Sequence, residues 1–363
     1  MDTDSIKRAI DACEVISFDI FDTLLLRLCA RAEDIFRIME HKTGIRNFAR
    51  ERVTMQRRSS LEAESCGLPH CTFDGIYEYM QKYSKLVPNH TWSELKALEL
   101  ETEKRFLIKN EPMYGLYCYA KKAGKRVIAV SDMYLGEKEI LPLLENCGYT
   151  GFDAVYISAD VKKTKYRGDM YSYVLSRENV PAEKVLHIGD NKIDDIENAK
   201  LHGLNTFYYN TPKNTAKMPL FLSVCTGAAN MLAAKSDDFW YGLGARVGGP
   251  LYCAFIPMLL GELARIQPDK LFLLSRDGYN LFEIMKKLGL TDIKTEYFHT
   301  SRRALLLCGI DRLDEAAKSV LPPFTFGLWS GAQQPNACAL AALTMASNFR
   351  RVMSPCQRRM SEV

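Results

Sequence analysis

The sequence predicts an α/β fold, a parallel sheet covered by helices, with a helical insertion after the first strand. Two observations carry this prediction. Short apolar runs alternate with helix-like segments, the pattern of strand–helix–strand units. Three of those runs also end in reactive polar residues: Asp19, Ser131 and the triplet Gly189-Asp190-Asn191. Open α/β sheets place their ligand sites at the carboxyl ends of the strands.

The elements follow in order. Residues 15–18, Val-Ile-Ser-Phe, form the first strand and run directly into Asp19, with Asp22 and Thr23 close behind. Residues 27–111 hold no convincing strand. Segments 32–41, 73–83 and 92–108 instead carry apolar residues at helical spacing, among them Ile35, Phe36, Ile38 and Met39. This predicts a helical cap at 27–111, able to cover the site and exclude water. Strands are then expected at 126–130, 154–157, 185–188 and 206–209, with helices at 137–146, 169–178 and 195–202 between them. Residues 1–26 and 112–210 together would make the core.

A second α/β unit is expected at 211–315, after Thr211-Pro212. It comprises apolar helices near 218–234 and 239–266, a strand at 270–274 ending in Ser275-Arg276-Asp277-Gly278, a helix at 279–288 and a strand at 295–299 before Ser301-Arg302-Arg303. The two apolar stretches, interrupted by Pro219, Pro250 and Pro257, read as buried helices rather than membrane spans. From 316 to 363 the only acidic residue is Glu362, against Lys318, Arg350, Arg351, Arg358 and Arg359. Two readings stay open there: a loosely ordered basic tail, or a stretch that is not a selected ending, as after a frame change.

Bulk properties narrow the function classes. A chain of 363 residues with 47% hydrophobic content can bury a sizeable core. A formal net charge of +4 is too mild to imply nucleic acid. The 11 cysteines show no CxxC pair. Cys66, His70 and Cys71 cluster without a second pair at zinc spacing, so free thiols in a reducing, cytoplasmic setting are expected. The chain begins Met-Asp-Thr-Asp, without the basic-then-apolar pattern of a signal sequence.

The strand-end residues suit a divalent metal and a phosphate. Asp19 is the candidate nucleophile, because a carboxylate can attack phosphorus and form an aspartyl-phosphate. Such an attack brings two negative groups together, so cations are required. Mg²⁺ favours oxygen ligands, and Asp19, Asp190 and the Phe21 carbonyl are the candidates, with Asp194 or Asp195 holding metal-bound water. Lys165 would neutralise phosphoryl oxygens and Ser131 would bind them as charge moves; Asp132 beside Ser131 is a third candidate substrate-binding residue. Taken singly, Ser131 reads as a helix cap and Lys165 as a solvated charge. The combination, in this order at strand ends, points to a site.

The order Asp19-x-x-Asp22-Thr23, Ser131, Lys165, Gly189-Asp190-x4-Asp195 resembles the four motifs of the haloacid dehalogenase superfamily over about residues 13–210. That resemblance implies a Rossmann-like core, a cap inserted after the first motif, and Mg²⁺-dependent phosphoryl transfer as hydrolase chemistry. The runs Phe-Asp-Ile-Phe-Asp-Thr-Leu-Leu, Val-Ser-Asp-Met-Tyr-Leu and His-Ile-Gly-Asp-Asn further resemble a bacterial subgroup with a C-terminal extension, matched by Arg276 to Tyr279. Its members accompany glycosyltransferases of surface-polysaccharide synthesis, which implies such a partner here. One departure stands out. Phosphatases of the superfamily carry a second Asp two residues after the nucleophile as acid and base; Phe21 occupies that position. Asp22, one residue on, is either a substitute catalytic group or a turn residue. The expected function is a Mg²⁺-dependent phosphatase or phosphotransferase acting on a small phosphorylated metabolite such as a sugar phosphate. The alternative is a weak or inactive phosphate-binding partner of a glycosyltransferase. Dehalogenation needs no metal, and the Asp190, Asp194 and Asp195 cluster argues against it.

Overall fold

The computed structural model describes residues 3–86, 90–210, 217–233, 235–236, 238–275 and 277–300. Thr211-Pro212, Arg276, Ser301-Arg302-Arg303 and the stretch 316–363 lie outside the described residues. The chain divides into two units, Met1–Cys253 and a second beginning at Ala254.

In the first unit, helix α1 (Thr3–Ala12) leads into β1 (Val15–Phe18) and β2 (Leu25–Arg27). Four helices follow: α2 (Asp34–Thr43), α3 (Phe48–Ser65), α4 (Phe73–Tyr83) and α5 (Trp92–Phe106). Strand β3 (Leu107–Lys109) brings the chain back, pairing antiparallel with β2. The alternation then runs α6 (Glu111–Lys122), β4 (Arg126–Ser131), α7 (Glu137–Asn146), β5 (Ala154–Ile157), α8 (Ser158–Val161), α9 (Asp169–Glu178) and β6 (Val185–Gly189). A π-helical turn (Lys192–Glu197), α10 (Asn198–Leu201) and β7 (Asn205–Tyr208) complete the sheet. Helices α11 (Leu220–Ala233) and α12 (Phe239–Leu243) come after it, and α13 (Gly249–Ile266) begins in this unit and continues into the second.

The five-stranded sheet has the order β5-β4-β1-β6-β7, and every pairing is parallel. All of β1 and β6 is buried, which is why both read as mostly apolar runs, broken only by Ser17 and His187, which bond each other: helices cover both faces. Ile16 and Phe18 face one core with Leu186 and Ile188, while Val15 and Val185 face the other with Met170, Tyr171 and Val174 of α9. The fold class expected from the sequence is therefore observed. Because β1 is central and its neighbours arrive from opposite directions in the topology, a crevice opens at its carboxyl end.

Three expectations need correction. Residues 27–111 do contain strand, β3, which with β2 forms the two-stranded stem of the helical insertion. The longest helix there, α3, is not anticipated, because its buried face carries Arg52 where an apolar residue is expected. Arg52 is fully buried and donates to both oxygens of buried Glu99 on α5, at 2.8 and 2.7 Å. The stretch 239–266 is not buried either. Phe239, Trp240, Leu251 and Met258 are exposed, and only Ile256 and Leu263 of α13 are buried. Apolar composition marks a helix that can be covered, not one that is. By length and composition Phe239–Ile266 suffices to cross a membrane.

In the second unit, β8 (Lys270–Leu274) and β9 (Lys294–Phe298) pair in parallel, with α14 (Tyr279–Leu288) between them in sequence and packed on both.

Candidate active site

Asp19 stands immediately beyond β1, and its N–H donates to the Ile188 carbonyl of β6 at 2.9 Å. Its carboxylate is buried, and the Lys165 ammonium donates to Oδ1 at 2.5 Å. The same ammonium donates to Asp195 Oδ1 at 2.6 Å. Asp190, at the end of β6, accepts from Thr23 Oγ1 at 3.5 Å. Oxygens of Asp19, Asp190 and Asp195 all lie within 4.8 Å of one another.

The loop after β6 is shaped for this cluster. Asn191 Oδ1 accepts from the N–H groups of Ile193 and Asp194, at 3.0 and 3.2 Å, which starts the π-helical turn. The Asn191 N–H in turn donates to Asp195 Oδ2 at 2.9 Å. A Cβ at position 189 would fall 2.3 Å from Asp195 Cγ, so only glycine lets the aspartate fold back over the strand end. Asp194 turns aside. Its Oδ2 accepts from Asn191 Nδ2 at 2.6 Å, and its side chain is not in the three-carboxylate cluster.

Lys165 is positioned from two directions. Both Asp132 oxygens accept backbone N–H groups, from Lys165 at 2.9 Å and from Tyr166 at 3.2 Å. Asn198 Nδ2 donates to the Lys165 and Tyr166 carbonyls, each at 2.9 Å. Asp132, a candidate substrate-binding residue from the sequence, lines the cavity and also holds the lysine loop through its carboxylate. Ser131, buried at the end of β4, lines the same cavity.

Sequence reasoning missed His187, a buried histidine within an apolar strand. Its Nδ1 is 2.7 Å from Ser17 Oγ, its register partner on β1, and its Nε2 is 3.2 Å from Asp195 Oδ1. The available signal is its place two residues before Gly189, on the same face of β6 as the site.

Burial opposes charge throughout. It pushes Asp19 up to about 7 against the pull of Lys165, with Asp195 and Asp190 adding repulsion. Burial also disfavours the Lys165 ammonium, but Asp19 and Asp195 outweigh it and hold the lysine well above its ordinary value. Burial works against ionised Asp195 as well, yet Lys165 and hydrogen-bonded His187 hold its carboxyl well below the usual range. Burial keeps His187 low, hence neutral near pH 7. Lys165 pairs with both Asp19 and Asp195, and Asp190 stands beside them, so the described cluster carries more acidic groups than basic ones. The donors are all hard oxygens, the set a Mg²⁺ ion favours, so the cluster fits that cation.

A cavity of about 710 Å³ lies over these residues. Asp19, Ser131 and Lys165 line it from the sheet; Glu33, Phe36 and His70 line it from the insertion. Phe21 lines it too, with the Arg27 guanidinium 4.5 Å above its ring and held by Glu103 at 3.2 and 3.3 Å. Asp22 adopts a left-handed conformation (φ 61°), a region Asp tolerates, and its N–H closes a turn to the Leu25 carbonyl at 2.8 Å. It is not among the cavity-lining residues.

The sequence profile of the haloacid dehalogenase-like hydrolases matches residues 135–208. That segment contains Lys165, Asp190, Asp194 and Asp195 but stops short of Asp19 and Ser131. A search of curated proteins by sequence finds no match. Similar solved structures include a dehalogenase with an intermediate complex, 18% identical, covering 57% of this chain and 89% of its own at a TM-score of 0.40. Another is L-2-haloacid dehalogenase from Xanthobacter autotrophicus, 19% identical over 53% of this chain and 76% of its own, TM-score 0.39. A third is YfnB from Bacillus subtilis bound to magnesium, 17% identical over 57% and 92%, TM-score 0.41. What those proteins bind or cleave is theirs. The profile match likens residues 135–208 to the haloacid dehalogenase-like hydrolases.

Proposed function

We propose that this protein is a Mg²⁺-dependent phosphatase or phosphotransferase acting on a small phosphorylated metabolite. The observation that carries the reading is the buried Asp19–Lys165–Asp195 arrangement, with Asp190 alongside, at the mouth of the sheet. Asp19 and Asp190 would hold Mg²⁺, joined by the Phe21 carbonyl, with Asp194 or Asp195 reaching it through water. When bound, the ion offsets the negative charge of the carboxylates and the phosphoryl group.

The chain's own residues supply the rest. An Asp19 carboxylate oxygen attacks phosphorus, the bond to the leaving oxygen breaks, and an aspartyl-phosphate remains. Water then attacks phosphorus, releasing phosphate and restoring Asp19. A phosphotransferase would instead accept an alcohol at this step. Lys165 stands against Asp19 and is placed to meet the phosphoryl oxygens, and Ser131 offers a hydroxyl at the adjacent strand end. Phe21 provides no proton at the position where a phosphatase of this superfamily carries Asp. Leaving groups that depart without protonation, such as activated phosphates, are therefore favoured.

Phe21 also supports a second reading: a phosphate-binding protein of low turnover that serves a glycosyltransferase, as the resemblance to the polysaccharide-linked subgroup implies. One panel separates the readings. Phosphate monoesters, phosphosugars and 2-haloacids are assayed with and without Mg²⁺, in wild type and Asp19→Asn. Metal-dependent phosphate release that vanishes in Asp19→Asn is expected. Beryllofluoride binding without turnover would favour the partner reading, and metal-independent halide release would overturn both.

A further inference from the structure

Helix α11 carries no charged residue and, by sequence, belongs to the region after the sheet. In the structure it lies against the chain segment that leaves the sheet for the helical insertion. At Gly227 the contact is backbone to backbone: a Cβ there would fall 2.3 Å from Cys29 N and 2.6 Å from the Leu28 carbonyl carbon. One turn earlier, Ser223 is fully buried. Its hydroxyl accepts from Ala30 N–H at 2.9 Å and donates to Asp34 Oδ2. Arg37 bridges Asp34 Oδ1 at 2.7 Å and the Met218 carbonyl at 2.9 Å.

The segment held in this way matters to the site. Ala32, Glu33 and Phe36, within and beside it, line the cavity over Asp19. The insertion joins the sheet domain only through this limb and the one at Phe106–Asn110, so any displacement of the insertion must bend the chain at these two places.

We propose that α11 braces the first limb of the insertion, and that Ser223 and Gly227 are positioning residues that set the cavity wall against the substrate. The kinetic consequence rests on the proposed function, but the brace itself does not. Ser223 satisfies a donor, the Ala30 N–H, and an acceptor on buried Asp34, and losing it removes both bonds, the second at a carboxylate withdrawn from water. Gly227 allows the close approach that places Ser223 there.

Cys29, on the limb, reports the brace directly. It is 6% exposed, its thiol donates to the Arg31 carbonyl at 3.2 Å, and burial pushes it up to about 12, so alkylation requires the limb to lift. Cys13, 3% exposed beneath the sheet, serves as the internal control. The test compares wild type with Gly227→Val, Ser223→Ala and Ser223→Thr by iodoacetamide labelling at pH 8 and peptide mass spectrometry. KM and kcat are measured alongside for p-nitrophenyl phosphate with Mg²⁺. Cys29 labelling should rise at least tenfold in Gly227→Val and severalfold in Ser223→Ala, with Cys13 unchanged and Ser223→Thr near wild type. KM should rise severalfold while kcat changes less. If Gly227→Val exposes Cys13 equally, Ser223→Ala decides, since it adds no bulk. No selective Cys29 labelling in Ser223→Ala overturns the brace. Selective labelling in a protein that turns over no phosphate supports the brace and counts against the proposed function instead.

Discussion

Arg52→Met should unfold the helical insertion far more readily than its sequence position suggests. Arg52 and Glu99 are both fully buried. Glu99 accepts four hydrogen bonds: two from Arg52, one from Tyr77 OH at 2.7 Å and one from Tyr134 OH at 3.1 Å. Methionine preserves most of the volume but removes two of the four donors and the only positive charge in that group. Breaking a buried pair from one side costs about 3–5 kcal/mol, because the surviving carboxylate stays desolvated. At a urea slope of about 3 kcal/mol/M the midpoint should fall by roughly 1 M or more. Tyr134 and Phe36 both pack on the guanidinium, 5.1 and 4.6 Å from its centre, and both line the cavity, so the same variant should weaken substrate binding. The double variant Arg52→Met, Glu99→Leu should recover most of the stability, since well-packed apolar replacements of buried pairs are neutral or stabilising. The assay is urea denaturation of the four members of the cycle, followed by circular dichroism. A single-variant loss within the roughly 0–1 kcal/mol of exposed pairs would refute the reasoning. So would a double variant as unstable as the sum of its parts.

Other expectations follow from the site. Mg²⁺ should raise the thermal midpoint of wild type, with a linkage gain of about 2.7 kcal/mol at a hundredfold excess over Kd, and Asp190→Asn should lose most of that shift in scanning calorimetry. An equal shift in the variant would remove Asp190 from the metal site. Phe21→Asp should speed phosphate release, since general acid–base help is typically worth about 10²–10⁴-fold, unless the new carboxylate is captured by Arg27 above it; a fall in steady-state kcat would signal that capture. Asp132→Ala should lower kcat/KM by roughly 10²-fold, the scale of a 1 Å misplacement, because the Lys165 loop loses both of its backbone bonds to Asp132. Near-wild-type activity would show that Asn198 alone holds the loop. Asp22→Asn should leave activity close to wild type, because Asn also accepts the left-handed turn; a large loss would make Asp22 the missing acid.

The parallel sheet could be read directly from the sequence because parallel strands are buried on both faces. Val15–Phe18 and Val185–Gly189 show that burial as short, mostly apolar runs, and each is followed by an aspartate. Asp19 and Asp190 stand at those ends, with Asp195 in the turn that follows the second and Lys165 in the loop before α9, and their order along the chain brought them forward as a candidate site. Their mutual distances, and the turning aside of Asp194, came only from the fold. Helix α3 escaped because a buried charge breaks hydrophobic periodicity, and only Glu99, 47 residues away, makes Arg52 tolerable in a core. His187 escaped because one polar residue in a strand carries no sign of its partners, Ser17 and Asp195. Asp132 was legible as a polar residue at a strand end, but its hold on the Lys165 loop came only from the fold. The exposure of Phe239, Trp240 and Leu251 could not be read from composition, which records how apolar a helix is but not what covers it. Local pattern thus determined the strands and the chemistry at their ends. Long-range contacts decided which polar groups line the cavity and which hold the structure, because a polar side chain's role depends on the partner that satisfies it.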